Sequence, residues 1–405
     1  MTIDSELLLH IFLALAAAFV ISFAATPIIK IFAQKVGAMD VPGEARRVHD
    51  HPIPRMGGLA IFLGFILSVV LFADISRPVQ GILLGAVIVV AVGAVDDIVS
   101  LPAWLKLLFQ IAAAIVAVLH GVVIENVMNP NVFSSVDVLH LGALSAPITV
   151  IWIVAITNSV NLIDGLDGLA AGVSTIAGVT MLVIALLVAD GNVAVLLAAL
   201  VGACVGFLPY NLNPAKIFMG DTGALLLGYV LSTASILGLF KFYAVVSFAV
   251  PFLVLAVPLF DTVFAFFRRL LKGQNPMKPD RGHFHHRLID MGLSQKQAVA
   301  ILYTISAILG LAAVVLTTSG EIKALILIAA FCLAAVIAGF ILLSHHAQET
   351  QKHPAQDAGA SGSGAESLSA GGNAAEAEAQ SAQPSEAAEA SEASDVSRGN
   401  GESHE

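Results

Sequence analysis

"NSVNLIDGLDGLAAG", residues 158–172, places two carboxylates and several glycines between two apolar runs of the chain. Asp164 and Asp167 lie three residues apart, a spacing that predicts one helical turn at the start of the second run. Both acids could simply cap that helix, because the N-terminal end of a helix dipole favours negative charge. Asn158 and Asn161 add amide groups that capping does not require. With glycines that allow close backbone approach, the combination indicates a ligand site.

Apolar runs occupy most of the chain. Hydrophobic residues make up 58% and charged residues 12% of it, with a mean hydropathy of +0.90. These values exclude an ordinary soluble globular protein. Helices of about 17 to 25 apolar residues can cross the hydrocarbon layer of a membrane. We therefore expect an all-α polytopic membrane protein with about eleven transmembrane helices, at 7–29, 57–73, 79–95, 104–122, 147–157, 169–189, 193–208, 223–239, 244–267, 298–317 and 324–343.

The composition changes after the last apolar run. Residues 347–405 are rich in Ala, Ser, Gly and Glu, so they cannot bury a core and we expect a disordered tail. The tail also carries most of the formal charge of −10. Residues 1–346 are expected to form the transmembrane catalytic domain. The sequence has no basic stripe typical of nucleic-acid binding, and both cysteines fall within apolar runs.

The basic residues predict the orientation. Eleven crossings place the loops after the odd-numbered helices on one face, and 14 Lys and Arg residues fall there, against three on the opposite face. The positive-inside rule therefore predicts that this face is cytoplasmic, that the N-terminus is outside and that the tail is inside. The longest outer loop, 125–146, contains no Lys or Arg and is interpreted as a small hairpin.

An acidic pair, Asp96 and Asp97, ends the third apolar run on the basic face. A helix C-terminus disfavours acids, so two adjacent carboxylates there require a cation or a proton. The next base is Lys106 on the following helix. The pair could be two solvated loop acids, or a base, nucleophile or metal neighbour.

"FMGDTG", residues 218–223, precedes the eighth predicted helix. Asp221 offers hard oxygen ligands beside backbone N–H groups that can hold an anion, although Asp221 or Thr222 could also be a simple helix cap. Phe218 could stack on a flat ring or be an ordinary interfacial aromatic residue.

Histidines and arginines cluster in "PDRGHFHHRL", residues 279–288. A zinc site is one alternative and mere loop polarity another, but no cysteine partners accompany the histidines. The nearby bases therefore favour phosphate binding by Arg281, His283, His285 and His286. "SQKQ", 294–297, is a capping box that begins the next helix.

Asp261 lies within the ninth apolar run and is a functional candidate or a salt-bridge partner of Arg268 or Arg269. All these clusters fall on one face, together with further bases that include Arg55. Carboxylates that hold Mg²⁺ and bases that neutralise phosphates are the combination that phosphoryl transfer requires.

The ordered motifs "DDIVSLPAWLK", "NLIDGLDGLAAG", "FMGDTGALLLG", "PLFDTVFAFFRR" and "PDRGHFHHRL" closely resemble the polyprenyl-phosphate N-acetylhexosamine-1-phosphate transferase family. The match spans about 27–343. The "DRGHFHH" form favours the branch that acts on N-acetylglucosamine and begins O-antigen, enterobacterial common antigen or teichoic acid assembly. The peptidoglycan branch, phospho-N-acetylmuramoyl-pentapeptide transferase, usually has three consecutive histidines and is the alternative within the family.

The resemblance implies that undecaprenyl phosphate attacks the β-phosphate of a UDP-N-acetylhexosamine and that UMP leaves. It implies a Mg²⁺ cofactor, with Mn²⁺ as a substitute, and a multi-pass enzyme of the bacterial inner membrane whose active site is cytoplasmic. A second copy of the chain is a candidate partner. The implied catalytic residues are Asp96, Asp97 and Asp221, with Asp221 and Asp97 at the metal. The implied substrate-binding residues are Asn161, Asp164, Asp167, Phe218, Arg281, His283, His285, His286 and Arg55.

Two points stay open at this stage. The sequence favours direct attack by the lipid phosphate but leaves a covalent aspartyl-phosphate on Asp96 or Asp97 as an alternative. Among other classes of protein, a proton-coupled secondary transporter would also use buried acids, but it predicts charges near the bilayer midplane and paired repeats.

Overall fold

The computed structural model describes residues 5–41, 51–128, 138–188, 190–238, 249–271 and 284–318, and four single positions beyond them (326, 329, 333 and 337). The predicted eleventh span, apart from those four positions, and the predicted tail lie outside the described residues.

Helices dominate the described part of the chain. In order they are α1 (Ser5–Val36), α2 (Gly58–Phe72), α3 (Arg77–Val99), α4 (Ala103–Leu119), α5 (Ser145–Ile163), α6 (Leu169–Leu187), α7 (Gly191–Asn211), α8 (Gly220–Gly238), α9 (Ala249–Val254), α10 (Ala256–Leu271), α11 (Phe284–Asp290) and α12 (Gln295–Thr317). A short 3₁₀-helix, Gly142–Leu144, leads directly into α5.

Two small antiparallel sheets accompany the helices. Strand β1 (Met39–Asp40) pairs with β2 (Ile53–Pro54), and β3 (Asn126–Met128) pairs with β4 (Val138–His140). The second pair confirms the hairpin predicted for the loop 125–146.

Seven described helices are long and apolar enough to cross a membrane. They are α1, α3, α5 with its preceding 3₁₀-turn, α6, α7, α8 and α12. The shorter helices α2 and α4 are also apolar. This architecture confirms a mostly helical, polytopic membrane protein.

The ninth predicted span differs from the expectation of one helix over 244–267. The chain forms two helices there, with α9 ending at Val254 and α10 beginning at Ala256. Pro258 explains the break, because proline lacks the N–H that would bond to the carbonyl of Val254 and its ring clashes with that carbonyl. The fifth span is also longer than predicted and runs on to Ile163.

Helix α8 is buried along its whole length. It packs against α3, α5, α6 and α2. Its polar side chains are satisfied internally: Ser232 and Thr233 donate to the carbonyl of Tyr229, and Ser235 accepts a hydrogen bond from the indole of Trp152 at 3.0 Å. A helix enclosed in this way fixes the position of its N-terminal end, where Asp221 lies.

Glycines bring α2 and α3 into direct contact with that end of α8. A Cβ atom on Gly93 would lie 2.6 Å from Thr222 Cα, and one on Gly58 would lie 2.0 Å from the backbone nitrogen of Gly223. Backbone atoms cannot move aside as a flexible side chain can, so both positions require glycine for this packing distance.

Gly93→Ala is therefore expected to push α3 away from α8 and to lower the free energy of unfolding by about 1–3 kcal/mol, the usual cost of overpacking. Gly238→Ala is the matched control, since its Cβ would meet only a methyl group of Val193 at 3.2 Å. Thermal unfolding of the purified proteins measures both, and equal stability of the two variants would contradict the proposed packing constraint.

Candidate active site

The carboxylate of Asp97 caps helix α8 from the neighbouring helix α3. It accepts hydrogen bonds from the backbone N–H of Asp221 at 2.9 Å and of Thr222 at 3.1 Å, and from the Thr222 hydroxyl at 2.6 Å. The first N–H groups of a helix have no partner within it, so an external carboxylate satisfies them and meets the positive end of the dipole. The anion at this helix end is thus Asp97 itself, and neither Asp221 nor Thr222 supplies the cap.

Asp96 and Asp221 share one ammonium group. Lys106 Nζ lies 2.8 Å from Asp221 Oδ2 and 3.3 Å from Asp96 Oδ2. The other oxygen of Asp96 accepts a hydrogen bond from the backbone N–H of Leu101 at 2.7 Å. Both Asp96 and Asp97 are only 5% exposed, which excludes the interpretation of the pair as solvated loop acids.

Arg55 reaches the cluster because its segment pairs with the residues before α8. The backbone N–H of Phe218 donates to Pro54, and that of Gly57 donates to Phe218. The Arg55 guanidinium then lies 3.5 Å from Asp97 and 3.8 Å from Asp221. Burial alone would lower the pKa of Arg55, but these carboxylates raise it above its ordinary value.

The two asparagines of the 158–172 stretch have different environments. Asn161 donates to Asp221 Oδ2 at 3.3 Å and therefore belongs to the cluster. Asn158 exchanges hydrogen bonds with the side-chain amide of Gln110, which is buried on α4. Asn158 thus joins α4 to α5 rather than facing the site.

Asp164 and Asp167 do not share a helical turn, contrary to the expectation from their spacing. Asp164 follows the last residue of α5, and α6 begins only at Leu169, so both acids lie in the connecting turn. Gly168 there has a φ of +77°, which a residue with a side chain rarely adopts, and this conformation delays the start of the helix.

The two acids of this turn differ in their partners. Asp167 accepts hydrogen bonds from the Asn213 amide at 2.9 Å and from the Ala215 backbone at 3.0 Å. The same amide donates to Gln295 at 2.7 Å, so Asp167 joins the turn to the loop before α8 and to the start of α12. Asp164 instead lies in the field of the acidic cluster: burial first, and then the charge of Asp221, raise its pKa to about 8.

The remaining predicted residues are only partly described. Phe218 is half-buried beside the cluster. His285 and His286 fall within α11, and Arg281 and His283 lie outside the described residues. The predicted capping box is confirmed, with Ser294 and Gln297 bonded reciprocally at the start of α12.

Asp261 lines an apolar cavity of about 260 Å³ together with residues of α5, α6, α10 and α12. Its carboxylate is buried. Arg268, one of its two predicted partners, lies 5.9 Å above the ring of Phe264.

Taken together, the described cluster brings four aspartates, one lysine, one arginine and one asparagine to one end of the bundle. The residues are Asp96, Asp97, Asp164, Asp221, Lys106, Arg55 and Asn161. In such an arrangement the carboxylates can bind a metal cation, and the lysine and arginine can bind the anionic groups that accompany it. Within the described residues, no three His, Cys, Asp or Glu side chains are arranged to enclose a metal ion.

Comparison with known proteins assigns the family. Residues 79–239, which contain most of the cluster, match the family described as Glycosyl transferase family 4. The chain is 43% identical over 317 residues to a protein of Bacillus subtilis named probable undecaprenyl-phosphate N-acetylglucosaminyl 1-phosphate transferase, covering 78% of this chain and 87% of the relative. The chain belongs to glycosyl transferase family 4.

Two further relatives are similar in sequence to this family 4 chain. It is 36% identical over 316 residues to the decaprenyl-phosphate N-acetylglucosaminephosphotransferase of Mycolicibacterium smegmatis, covering 70% of this chain and 76% of the relative. It is 27% identical over 317 residues to the undecaprenyl-phosphate alpha-N-acetylglucosaminyl 1-phosphate transferase of Escherichia coli K12, covering 76% and 85%. These matches confirm the family resemblance of the motifs.

The sequence alone indicates no role for several residues in and around the described cluster. Lys106 was noted only as the nearest base, and Gly93 and Asn213 carried no signal beyond their residue type. The one sequence signal for Lys106 is its place in the first turn of the helix after the acidic pair, which brings it back toward the pair across a three-residue loop.

The Asp164 carboxyl makes stability depend on pH. Its ordinary pKa is 3.8, against about 8 in the folded protein, so between these values the folded state holds a proton that the unfolded state has lost. The contribution of Asp164 to stability therefore falls as pH rises from about 4 to 8. Asp164→Asn removes this loss, and in EDTA its thermal midpoint should exceed that of the parent protein by about 2–4 °C at pH 9 and by less at pH 5. A difference that does not change with pH would contradict this.

Asp167→Ala, unlike Asp164→Asn, should lower the stability of the protein. The substitution leaves the Ala215 N–H and one Asn213 bond without an acceptor, at a cost of about 1–3 kcal/mol. Its thermal midpoint should fall at pH 5 and pH 9 alike. A variant as stable as the parent protein would show that this tie does not hold the turn.

Proposed function

We propose that the chain transfers N-acetylglucosamine-1-phosphate from UDP-N-acetylglucosamine to undecaprenyl phosphate and releases UMP. The observation that carries the proposal is the convergence of Asp96, Asp97, Asp164 and Asp221 with Lys106 and Arg55 at one end of a membrane bundle. The names of the relatives support the sugar and the polyprenyl-phosphate acceptor.

The geometry suits a reaction between a lipid and a soluble nucleotide. Asp96 and Asp97 lie in the last turns of α3, and Asp221 lies in the first turn of α8. A site at helix ends meets both the water phase, which supplies the nucleotide, and the membrane, which holds the acceptor. A transporter would place its acids nearer to the midplane of the bilayer, so this alternative has less support.

A divalent cation fits the donor set. Mg²⁺ commonly binds through one or two carboxylates and completes its coordination with water and substrate phosphates. Asp221, with Asp164 and Asn161 close by, supplies such oxygens without a full protein cage. When bound, the metal would neutralise charge on the phosphates during transfer. Asp97, predicted as a second metal ligand, already accepts three hydrogen bonds at the start of α8, and we assign it to positioning Asp221.

The cations of the cluster serve the phosphates. Arg55 and Lys106 can offset the negative charge that otherwise keeps two anionic substrates apart. An oxygen of the lipid phosphate forms a new bond to the β-phosphorus of the UDP-sugar, and the bond from that phosphorus to the bridging oxygen breaks, so UMP leaves with that oxygen. The hydrogen-bonded carboxylates of Asp96 and Asp97 support direct attack over a covalent aspartyl-phosphate.

The remaining features of the proposal follow the sequence. We place the enzyme in the bacterial inner membrane with the cluster on the cytoplasmic side, Phe218 near the uracil, and Arg281, His283, His285 and His286 at the sugar nucleotide. Eleven crossings, a cytoplasmic tail and a homodimer belong to the same proposal. The alternative is the donor specificity of the peptidoglycan-type transferase, which uses the UDP-N-acetylmuramoyl-pentapeptide.

Purified protein with Mg²⁺ and undecaprenyl phosphate should release UMP from UDP-N-acetylglucosamine. A panel of UDP-sugars, including the N-acetylmuramoyl-pentapeptide donor, decides the specificity by coupled measurement of UMP. The proposal is wrong if none of these donors yields UMP.

Asp221→Asn should lower kcat at least about 100-fold, because a lost charge-stabilising group in a transition state typically costs this much, while the protein remains folded. Asp74→Asn, in the loop between α2 and α3, is the control and should keep full activity. UMP release and thermal unfolding measure the two effects, and an active Asp221→Asn variant would remove Asp221 from the metal site.

Cysteine labelling tests the orientation. In a background with Cys204 and Cys332 replaced by alanine, a membrane-impermeant maleimide added to spheroplasts should label Leu139→Cys in the hairpin. It should label Lys216→Cys only after lysis, because we place the loop before α8 inside. The reverse pattern would invert the proposed topology.

A further inference from the structure

Lys106 occupies the place between two carboxylates where a cation is needed. Its ammonium contacts Oδ2 of both Asp96 and Asp221, at 3.3 and 2.8 Å. Asn161 donates to the same Asp221 oxygen at 3.3 Å. The lone pairs of this oxygen thus face two donors of the protein.

The second oxygen of Asp221 also faces a cation, since Arg55 Nη2 lies 3.8 Å from Oδ1. Arg55 is additionally paired with Asp97. The side chain proposed to bind a divalent ion is therefore already neutralised on both sides. Each cation has a second carboxylate partner, Asp97 for Arg55 and Asp96 for Lys106. Arg55 carries a planar guanidinium, whereas Lys106 carries a compact charge on a flexible four-carbon chain.

The backbone next to Lys106 is anchored, and its side chain is partly exposed. The loop before α4 is only three residues long, and the Leu101 N–H is bound to Asp96 Oδ1 at 2.7 Å. The Lys106 side chain retains 21% exposure, so its ammonium has room to leave the carboxylates without movement of α4.

We propose that Lys106 is an exchangeable counter-ion: its ammonium holds Asp96 and Asp221 together in the metal-free protein and withdraws from Asp221 when a divalent cation binds there. The inference rests on the proposed metal at Asp221. A monovalent and a divalent cation compete for the same lone pairs and repel each other at contact distance, so Lys106 lowers the affinity for the metal. Without it, the neighbouring carboxylates of Asp96 and Asp221 would lie together with no ammonium between them, which is costly for buried like charges.

Lys106 is a positioning residue in this scheme, and the prediction concerns metal affinity rather than turnover. Mg²⁺ binding is measured by isothermal titration calorimetry on the EDTA-stripped full chain in nanodiscs without nucleotide. Lys106→Met removes the charge and keeps the length of the side chain, so it should bind Mg²⁺ about tenfold more tightly than the parent protein. In EDTA the same variant should unfold at a lower temperature, and Mg²⁺ should restore that loss.

Lys106→Arg tests the opposite direction. A guanidinium can bind both carboxylates through two N–H groups, so it should hold them more firmly and weaken Mg²⁺ binding several-fold. This variant keeps the positive charge and decides the question even where Lys106→Met does not fold. Lys216→Met, an exposed lysine in the loop before α8, controls for the loss of one positive charge and should match the parent protein.

The outcomes separate this inference from the proposed function. Tighter binding by the Met variant and weaker binding by the Arg variant support the exchange. Unchanged or weaker binding by Lys106→Met, or unchanged or tighter binding by Lys106→Arg, overturns it, even where the parent protein still releases UMP in the presence of Mg²⁺. If neither the parent protein nor Lys106→Met binds Mg²⁺, the metal assignment and the exchange both fail.

Discussion

The contact between Asp97 and the first turn of α8 determines the geometry of everything else in the cluster. A carboxylate in the last turn of α3 is unfavourable to its own helix dipole, but here it meets the positive end of a second helix and three hydrogen-bond donors at once. The close backbone packing at Gly93 brings the two helix ends within reach. Asp221 is thereby fixed one residue into α8, with its carboxylate directed at Lys106, Arg55 and Asn161. The centre of the cluster is therefore set by where α3 ends and α8 begins.

Much of this arrangement could be predicted from the sequence because hydropathy and charge are properties of neighbouring residues in the chain. Apolar runs locate the membrane helices, and the acidic motifs at the ends of these runs come together in the structure as expected. Hydropathy does not show where a helix breaks inside an apolar run, so the separation of α9 from α10 by Pro258 required the structure. The partners of each acid were likewise unpredictable. Asp97 and Thr222 are 125 positions apart, and Asp167 finds its donors 46 and 48 positions away.

The pair Asp164 and Asp167 shows what spacing leaves undecided. Two identical side chains three residues apart suggested one helical turn and a shared task, yet the backbone at Gly168 takes a left-handed conformation and separates them. One carboxylate joins three segments of the chain, while the other remains in the field of Asp221. The residue types predicted two carboxylates in this turn. Only the fold showed that Asp167 has a structural role and that Asp164 lies at the cluster.

The cap on α8 also bears on how the protein is made. During synthesis α3 is translated long before α8. Asp97 therefore lacks its hydrogen-bond donors, which lie 124 and 125 positions further along the chain, until α8 has been made. The acidic end of α3 gains its final partners only when α8 has been inserted beside it. A translation product that stops before residue 220 therefore lacks the helix end that Asp97 caps, and its acidic pair has no assembled cluster around it.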